Sequence, residues 1–179
     1  MENTETPAPE GAQTGTEITP IEPGPTSRWL AEHDLPHAFL GFALDGVELV
    51  GVEPEHLPMV GKALHDQGYN YLRLMCGYDE GPGERLVSVY GLTHCYDDAD
   101  KPPEVRLKVF LDRADPRVSS VYWIWKAADW QERETYDMYG IVYEGHPNLI
   151  RILNMEDMVG WPLRKDYVTP GFYEVQDAF

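Results

Sequence analysis

The stretch from Glu132 to Tyr167, ERETYDMYGIVYEGHPNLIRILNMEDMVGWPLRKDY, constrains this chain more than any other. Charges, aromatics, glycines and prolines crowd together in it with no clean amphipathic rhythm. After Gly145, residues Pro147, Gly160, Pro162, Pro170 and Gly171 leave little room for regular elements. A segment of this kind holds one shape only against something else, its own domain or a partner. Three parts are therefore expected: an arm over 1–25, an α+β domain over 26–145, and an extended, irregular interface segment over 146–179.

The arm is Glu, Thr, Pro, Gly and Ala with almost nothing large, too little apolar surface to offset its ordering entropy. It is expected to be disordered or draped over a neighbour. Of the formal net charge of −17, residues 1–26 supply −5 through Glu2, Glu5, Glu10, Glu17 and Glu22. A chain this acidic does not track nucleic-acid phosphates or settle by itself on an anionic leaflet. No apolar run approaches the roughly 20 residues that cross a bilayer. The acidic N-terminus is expected not to be a signal peptide. Cys76 and Cys95 show no metal spacing and read as reduced core or half-core thiols of a cytosolic compartment.

Periodicity predicts the domain's elements. Ser27 is placed to cap a short helix over 28–33, and 48–52 reads as a strand. Pro54 opens a helix carrying Leu57, Val60, Gly61 and Leu64, and Gly68 stops it. Residues 69–78 and 86–96 read as strands joined through Gly81-Pro82-Gly83. In 104–111, Val105, Leu107, Val109 and Leu111 alternate with Arg106 and Lys108, so that strand has one solvated face. The expected fold is a mixed or antiparallel sheet of about four strands with helices packed on it.

Ser119 or Ser120 is expected to start a helix running to Tyr139, ended by Gly140. At 100° per residue, Val121, Ile124, Trp125, Ala128, Glu132, Thr135 and Tyr139 share one stripe. Trp123, Ala127, Trp130 and Met138 fall opposite, so a second cover is needed: a partner, or the loop after Gly140. Glu132, inside an apolar stripe, requires a specific partner. The expectation is Arg151, or backbone N–H groups of the loop 140–166. Arg133 sits four residues from both Asp129 and Asp137 and reads as a solvated rung of surface ion pairs, while Glu134 points elsewhere.

Catalytic and cofactor chemistry finds little footing. Glu132 and Glu134 diverge by about 160° on a helix and cannot converge on a substrate. His146, between Gly145 and Pro147, has no companion ligands and reads as a loop histidine bonded to backbone. No phosphate-binding glycine pattern, nucleophile elbow or four-cysteine set occurs, so no flavin, nicotinamide, iron–sulfur cluster or metal is expected in this chain. Arg151, Arg164, Lys165 and Asp166 flank Trp161-Pro162-Leu163, which reads as an apolar plug ringed by charge, the anatomy of an interface anchor.

These residues resemble a known family. The E-R-E-x-x-D-x-aromatic-Gly run of Glu132, Arg133, Glu134, Asp137 and Gly140, the Gly-His-Pro of His146 and Pro147, and Pro162-Leu163-Arg164-Lys165-Asp166-Tyr167 resemble the small hydrophilic subunit of respiratory complex I. The family spans bacterial complex I and photosynthetic NDH-1, where its member is called subunit J. Tyr122-Trp-Ile-Trp-Lys-Ala-Ala-Asp129, Tyr136 to Gly140, and Val159 to Leu163 are similar to its cyanobacterial and plastid branch. Ile150 stands where the family usually has a basic residue. Asn154, Met155 and Met158 also depart from its pattern.

The resemblance implies a cofactor-free, non-catalytic assembly subunit of a proton-pumping quinone oxidoreductase. It would pack on the large quinone-site subunit, near the subunit with the last iron–sulfur cluster, so clusters and quinone belong to partners. The branch implies ferredoxin as donor and plastoquinone as acceptor. The place implied is peripheral, on the cytoplasmic or stromal side of the thylakoid membrane. The other reading, from the residues alone, is a free-standing small-molecule-binding or hydrolytic α+β domain using Glu134, Asp137 and His146.

Overall fold

The computed structural model describes residues 21–95 and 102–168. The expectation for the arm thus lies almost wholly outside the described residues, as do positions 169–179 of the C-terminal segment. The first helix, α1 (Pro25–Glu32), begins with proline at its start, where no N–H is missed. Its cap is not Ser27. The carboxylate of Glu48, from strand β2 (Glu48–Gly51), accepts the N–H groups of Thr26 and Ser27, each at 2.9 Å. A carboxylate is well placed at the positive end of a helix. Glu48 is itself buried, which ties α1 to the sheet.

β2 pairs with β1 (Ala38–Phe42) across a tight turn, with Gly46 at φ 81° and the Ala43 N–H donating to the Val47 carbonyl at 2.8 Å. β1 is absent from the elements that periodicity predicts, although Asp45-Gly46 between apolar runs is a hairpin signal. The helix α2 (Leu57–Asp66) buries Leu57, Val60, Gly61 and Leu64, as its spacing predicts. β3 (Tyr71–Asp79) and β4 (Leu86–Thr93) form the expected hairpin. In β5 (Glu104–Leu111) every second side chain is buried, from Val105 to Leu111.

The five strands run in the order β1-β2-β5-β4-β3. β2 and β5 are parallel and the other pairs antiparallel, so the sheet is mixed, with one strand more than periodicity indicates. A second sheet, beyond the expectation, pairs β6 (Arg117–Ser119) in parallel with β7 (Val142–Glu144). Two three-residue strands from distant parts of the chain carry no local signal. Cys76 and Cys95 are free, as expected, but both are exposed rather than core or half-core. No helix of the described residues is long and apolar enough to cross a membrane.

The last helix, α3 (Ala128–Tyr139), is shorter than the expected 119–139. Residues 121–127 form tight turns instead, with the N–H groups of Ile124 and Trp125 donating to the Val121 carbonyl. The Val-Tyr-Trp-Ile-Trp run is a poor helix former, and tertiary bonds hold it. The apolar stripe survives the change: Val121, Trp125, Ala128, Glu132 and Thr135 are all buried. α3 packs on the edge strand β3, where a Cβ at Gly77 would lie 2.5 Å from Thr135. The Gln131 side chain accepts the Met75 N–H, so α3 also blunts that sheet edge.

Candidate functional site

Two carboxylates on α3 organise the chain around this helix. Asp137 is fully buried, and five donors converge on it. Oδ2 accepts the N–H groups of Ile152, Leu153 and Asn154 at 3.1, 2.8 and 2.9 Å. Oδ1 accepts Arg151 Nη1 at 2.7 Å and Asn154 Nδ2 at 3.0 Å. Burial pushes the Asp137 carboxyl up, but these bonds outweigh it and hold the group well below the usual carboxylate range. Arg151 then donates its other nitrogen to the carbonyls of Met158 and Gly160, at 3.0 and 2.9 Å. One Asp–Arg pair therefore fixes both ends of the 151–160 loop.

The loop also completes the C-terminus of α3, whose last carbonyls lack partners within the helix. Arg151 Nη1, the Leu163 N–H and Arg164 Nε donate to the carbonyls of Asp137, Met138 and Tyr139, at 3.0, 3.1 and 2.7 Å. Burial pulls the Arg164 guanidinium down. Gly140 closes the helix at φ 72°, and a Cβ there would meet the Trp161 ring at 2.4 Å. Arg151 lies 4.5 Å above that ring. Farther on, Arg113 grips Asp79 through Nη1 and Nη2, at 2.8 and 2.9 Å, and also bonds Asp166. The Lys165 N–H donates to Asp79 at 2.8 Å. The Arg113 guanidinium holds the Asp79 carboxyl down at about 2, against an opposing push from burial.

Glu132, five positions before Asp137, is also fully buried but has only neutral donors. Ser120 Oγ donates to Oε2 at 2.5 Å, and the Val121 N–H to Oε1 at 2.8 Å. Burial pushes its carboxyl up to about 7.

Residues 50–173 match the family described as the 30 kDa subunit of the respiratory-chain NADH dehydrogenase. This chain belongs to that family. It is 55% identical over 156 residues to the chloroplastic NAD(P)H-quinone oxidoreductase subunit J of Angiopteris evecta, covering 87% of this chain and 99% of the relative. It is 56% identical to the same subunit of Chaetosphaeridium globosum, again covering 87% of this chain and 93% of the relative. Among solved structures, the trypsin-resistant fragment 1–134 of Nqo5 superposes with a TM-score of 0.59 at 28% identity, covering 69% of this chain and 98% of that one. A chain of the membrane-bound sulfane sulfur reductase, an archaeal respiratory membrane complex, gives 0.60 at 19% identity, over 86% of this chain and 91% of that one, and shares the fold. The chain is thus a subunit of a complex I-type, multi-subunit oxidoreductase.

Within this family member, the roles on α3 differ from those expected. Arg151 pairs with Asp137, not Glu132. The acceptor meeting the loop's N–H groups is likewise Asp137. Arg133 is no surface rung: its guanidinium donates to the carbonyls of Ile150 and Arg151, at 3.2 and 3.3 Å, and stacks on Trp130. Trp161, expected as an outward anchor, is an inward plug against Gly140, Tyr136 and Arg151. The outward groups are Ile150, Leu153, Met155, Val159 and Leu163. Two of the departures from the family pattern, Ile150 and Met155, are among them, and Asn154 donates to Asp137.

His146 is bonded to backbone, as expected. The Asn148 N–H donates to Nδ1 at 3.0 Å, which leaves the proton on Nε2 to donate to the Asp129 carbonyl at 3.2 Å. Pro147 beside it is exposed. Glu134 lines a shallow pocket of about 200 Å³ with Met75, Thr135 and Leu163. Glu134, Asp137 and His146 therefore face three different surroundings and form no common site. Lys165 and Asp166 are tied to the β3–β4 turn and to Arg113, and Tyr167 covers Gly160. Sequence reasoning missed Asp79, Arg113 and the role of Ser120. None carries a local signal, because each meets its partner across a long chain separation.

Proposed function

We propose that this chain is a cofactor-free, non-catalytic assembly subunit in the hydrophilic arm of a proton-pumping NDH-1, docking through its 149–163 loop on the large quinone-site subunit. One observation carries the reading. The Asp137–Arg151 clamp rigidifies an irregular loop whose outer face displays Ile150, Leu153, Met155, Val159 and Leu163. A loop ordered in advance with apolar side chains outward loses little entropy on binding a partner. The names of its relatives support a quinone-reducing complex of chloroplast type. In that reading the iron–sulfur clusters and quinone sit in neighbouring subunits, including the terminal iron–sulfur subunit. The acceptor is plastoquinone, the donor ferredoxin, and the chain lies peripherally on the cytoplasmic or stromal side of the thylakoid. With a net charge of −17, the chain itself is a poor dock for an acidic ferredoxin.

The test is affinity purification of the tagged chain from detergent-solubilised membranes, with a photo-crosslinker at Leu153 or Met155. Crosslinks to the quinone-site subunit are expected. Recovery of the chain alone, or crosslinks only elsewhere, overturns the docking assignment.

A further inference from the structure

Glu132 takes no part in the loop clamp, yet it is buried beside a histidine. His146 Nε2 lies 3.8 Å from Glu132 Oε2 and 3.5 Å from Asp129 Oδ1, and the imidazole is wholly buried. The titratable groups facing Glu132 are Asp129 from its own helix, His146 from the loop, Tyr143 from β7 and Tyr90 from β4. No Lys or Arg side chain of the described residues is within ion-pair reach of it. Both of its hydrogen-bond donors are neutral, and one is a hydroxyl. A hydroxyl offers one donor and two acceptor positions; Ser120 Oγ already accepts the Tyr122 N–H at 3.1 Å, which leaves one acceptor position for the proton of a protonated Glu132.

We propose that Glu132 and His146 form a proton-operated latch between the 120–125 turn and the 145–148 loop. With Glu132 neutral, its O–H is met by Ser120 Oγ, and the His146 Nε2–H stays on the Asp129 carbonyl, as in the structure. Ionisation releases one proton to water and leaves a buried carboxylate beside Nε2–H. That charge draws the Nε2–H bond from the carbonyl toward Oε2 and wins over the Asp129 carboxylate at 3.5 Å, because Asp129 is part-exposed and screened by water whereas Glu132 is fully buried.

The ring cannot turn alone. Its Nδ1 accepts the Asn148 N–H, so moving the ring shifts that bond. The carbonyl of the preceding residue, Gly145, accepts the Trp123 indole N–H at 2.9 Å, and Trp123 is 67% exposed. Protonation of one buried carboxyl is thereby passed to an exposed tryptophan. Burial places the Glu132 carboxyl near neutrality, so the latch operates where small changes in pH matter. It stands whether or not the 149–163 loop docks on a quinone-site subunit, since it involves this chain alone.

The test is NMR on the full-length chain with labelled glutamate carboxyls and labelled amides, from about pH 5 to about pH 9. One glutamate carboxyl should titrate in the neutral range, with the Asn148 amide and Trp123 indole signals shifting at the same midpoint. In Glu132→Gln both nitrogen signals should stay at their low-pH positions. The latch is overturned if no carboxyl titrates there, if one titrates while both nitrogen signals stay still, or if they move equally in Glu132→Gln. Should Glu132→Gln not fold, the coupled or uncoupled midpoints in the wild-type chain decide by themselves.

Discussion

Glu132 and Asp137 are both fully buried, on the same helix, five positions apart, and their acidities move in opposite directions. Burial alone would raise both. At Glu132 two neutral donors do not offset it. At Asp137 burial is outweighed by three loop N–H groups, an amide and a guanidinium. The fate of a buried carboxyl is thus set by the number and charge of its donors. The strongly held site clamps a loop, and the loosely held one remains able to titrate.

The contrast breaks first at Asp137. Asp137→Ala leaves Arg151 without its anion and strands three loop N–H groups, a loss of roughly 3–5 kcal/mol. Chemical denaturation should show it, and limited proteolysis should cut within 149–163. An intact loop in this variant would mean that the clamp is redundant.

The second test uses pH. The folded-state pKa of Glu132 is raised, to about 7, above its ordinary value of 4.5. Its contribution to stability is therefore fully present below about pH 4.5 and is lost as pH rises through about 7, a span worth roughly 3 kcal/mol. Glu132→Gln should flatten that decline. The pKa of Asp137 is depressed, so its contribution is present above the ordinary carboxylate range and is lost as pH falls below it. Asp137→Asn should flatten the acid limb instead. Unfolding curves across pH that respond identically to the two substitutions would erase the distinction.

Smaller effects sharpen the picture. Arg133→Ala removes charge-assisted bonds to two loop carbonyls and the stack on Trp130. A loss of about 1–2 kcal/mol is expected, above what a surface rung would give, measurable by denaturation. Smallest is Trp123→Phe, which deletes one indole bond to Gly145 at an exposed position. It should cost about 0.5–1 kcal/mol and leave the Asp137 clamp intact, as judged by unchanged proteolysis of 149–163.

Much of the fold was legible because it follows from local periodicity. The alternation in 104–111 marks β5 at its observed bounds, and Leu57, Val60, Gly61 and Leu64 mark the buried face of α2. The hairpin around 81–83, the left-handed stop at Gly140 and the irregular course after Gly145 were equally visible. β1 was legible in principle through Asp45-Gly46. β6 and β7 were not, since each is three residues long and is defined only by the other.

The amino-acid sequence by itself determined the family, through the spacing of the Glu132–Tyr167 run, and determined that α3 carries a carboxylate on its apolar stripe. Tertiary structure decided which carboxylate holds the loop. Positions 132 and 137 both offer an acid on α3, and helix geometry does not choose between them. The choice falls to the path of the chain beyond Gly140, where Trp161 packs on a residue without a Cβ and the 152–154 backbone turns its N–H groups toward Asp137. It falls also to Ser120, brought beside Glu132 by the β6–β7 pairing and the turns after it. Both are contacts between distant segments, and their energies depend on desolvation and donor geometry that exist only once those segments have met.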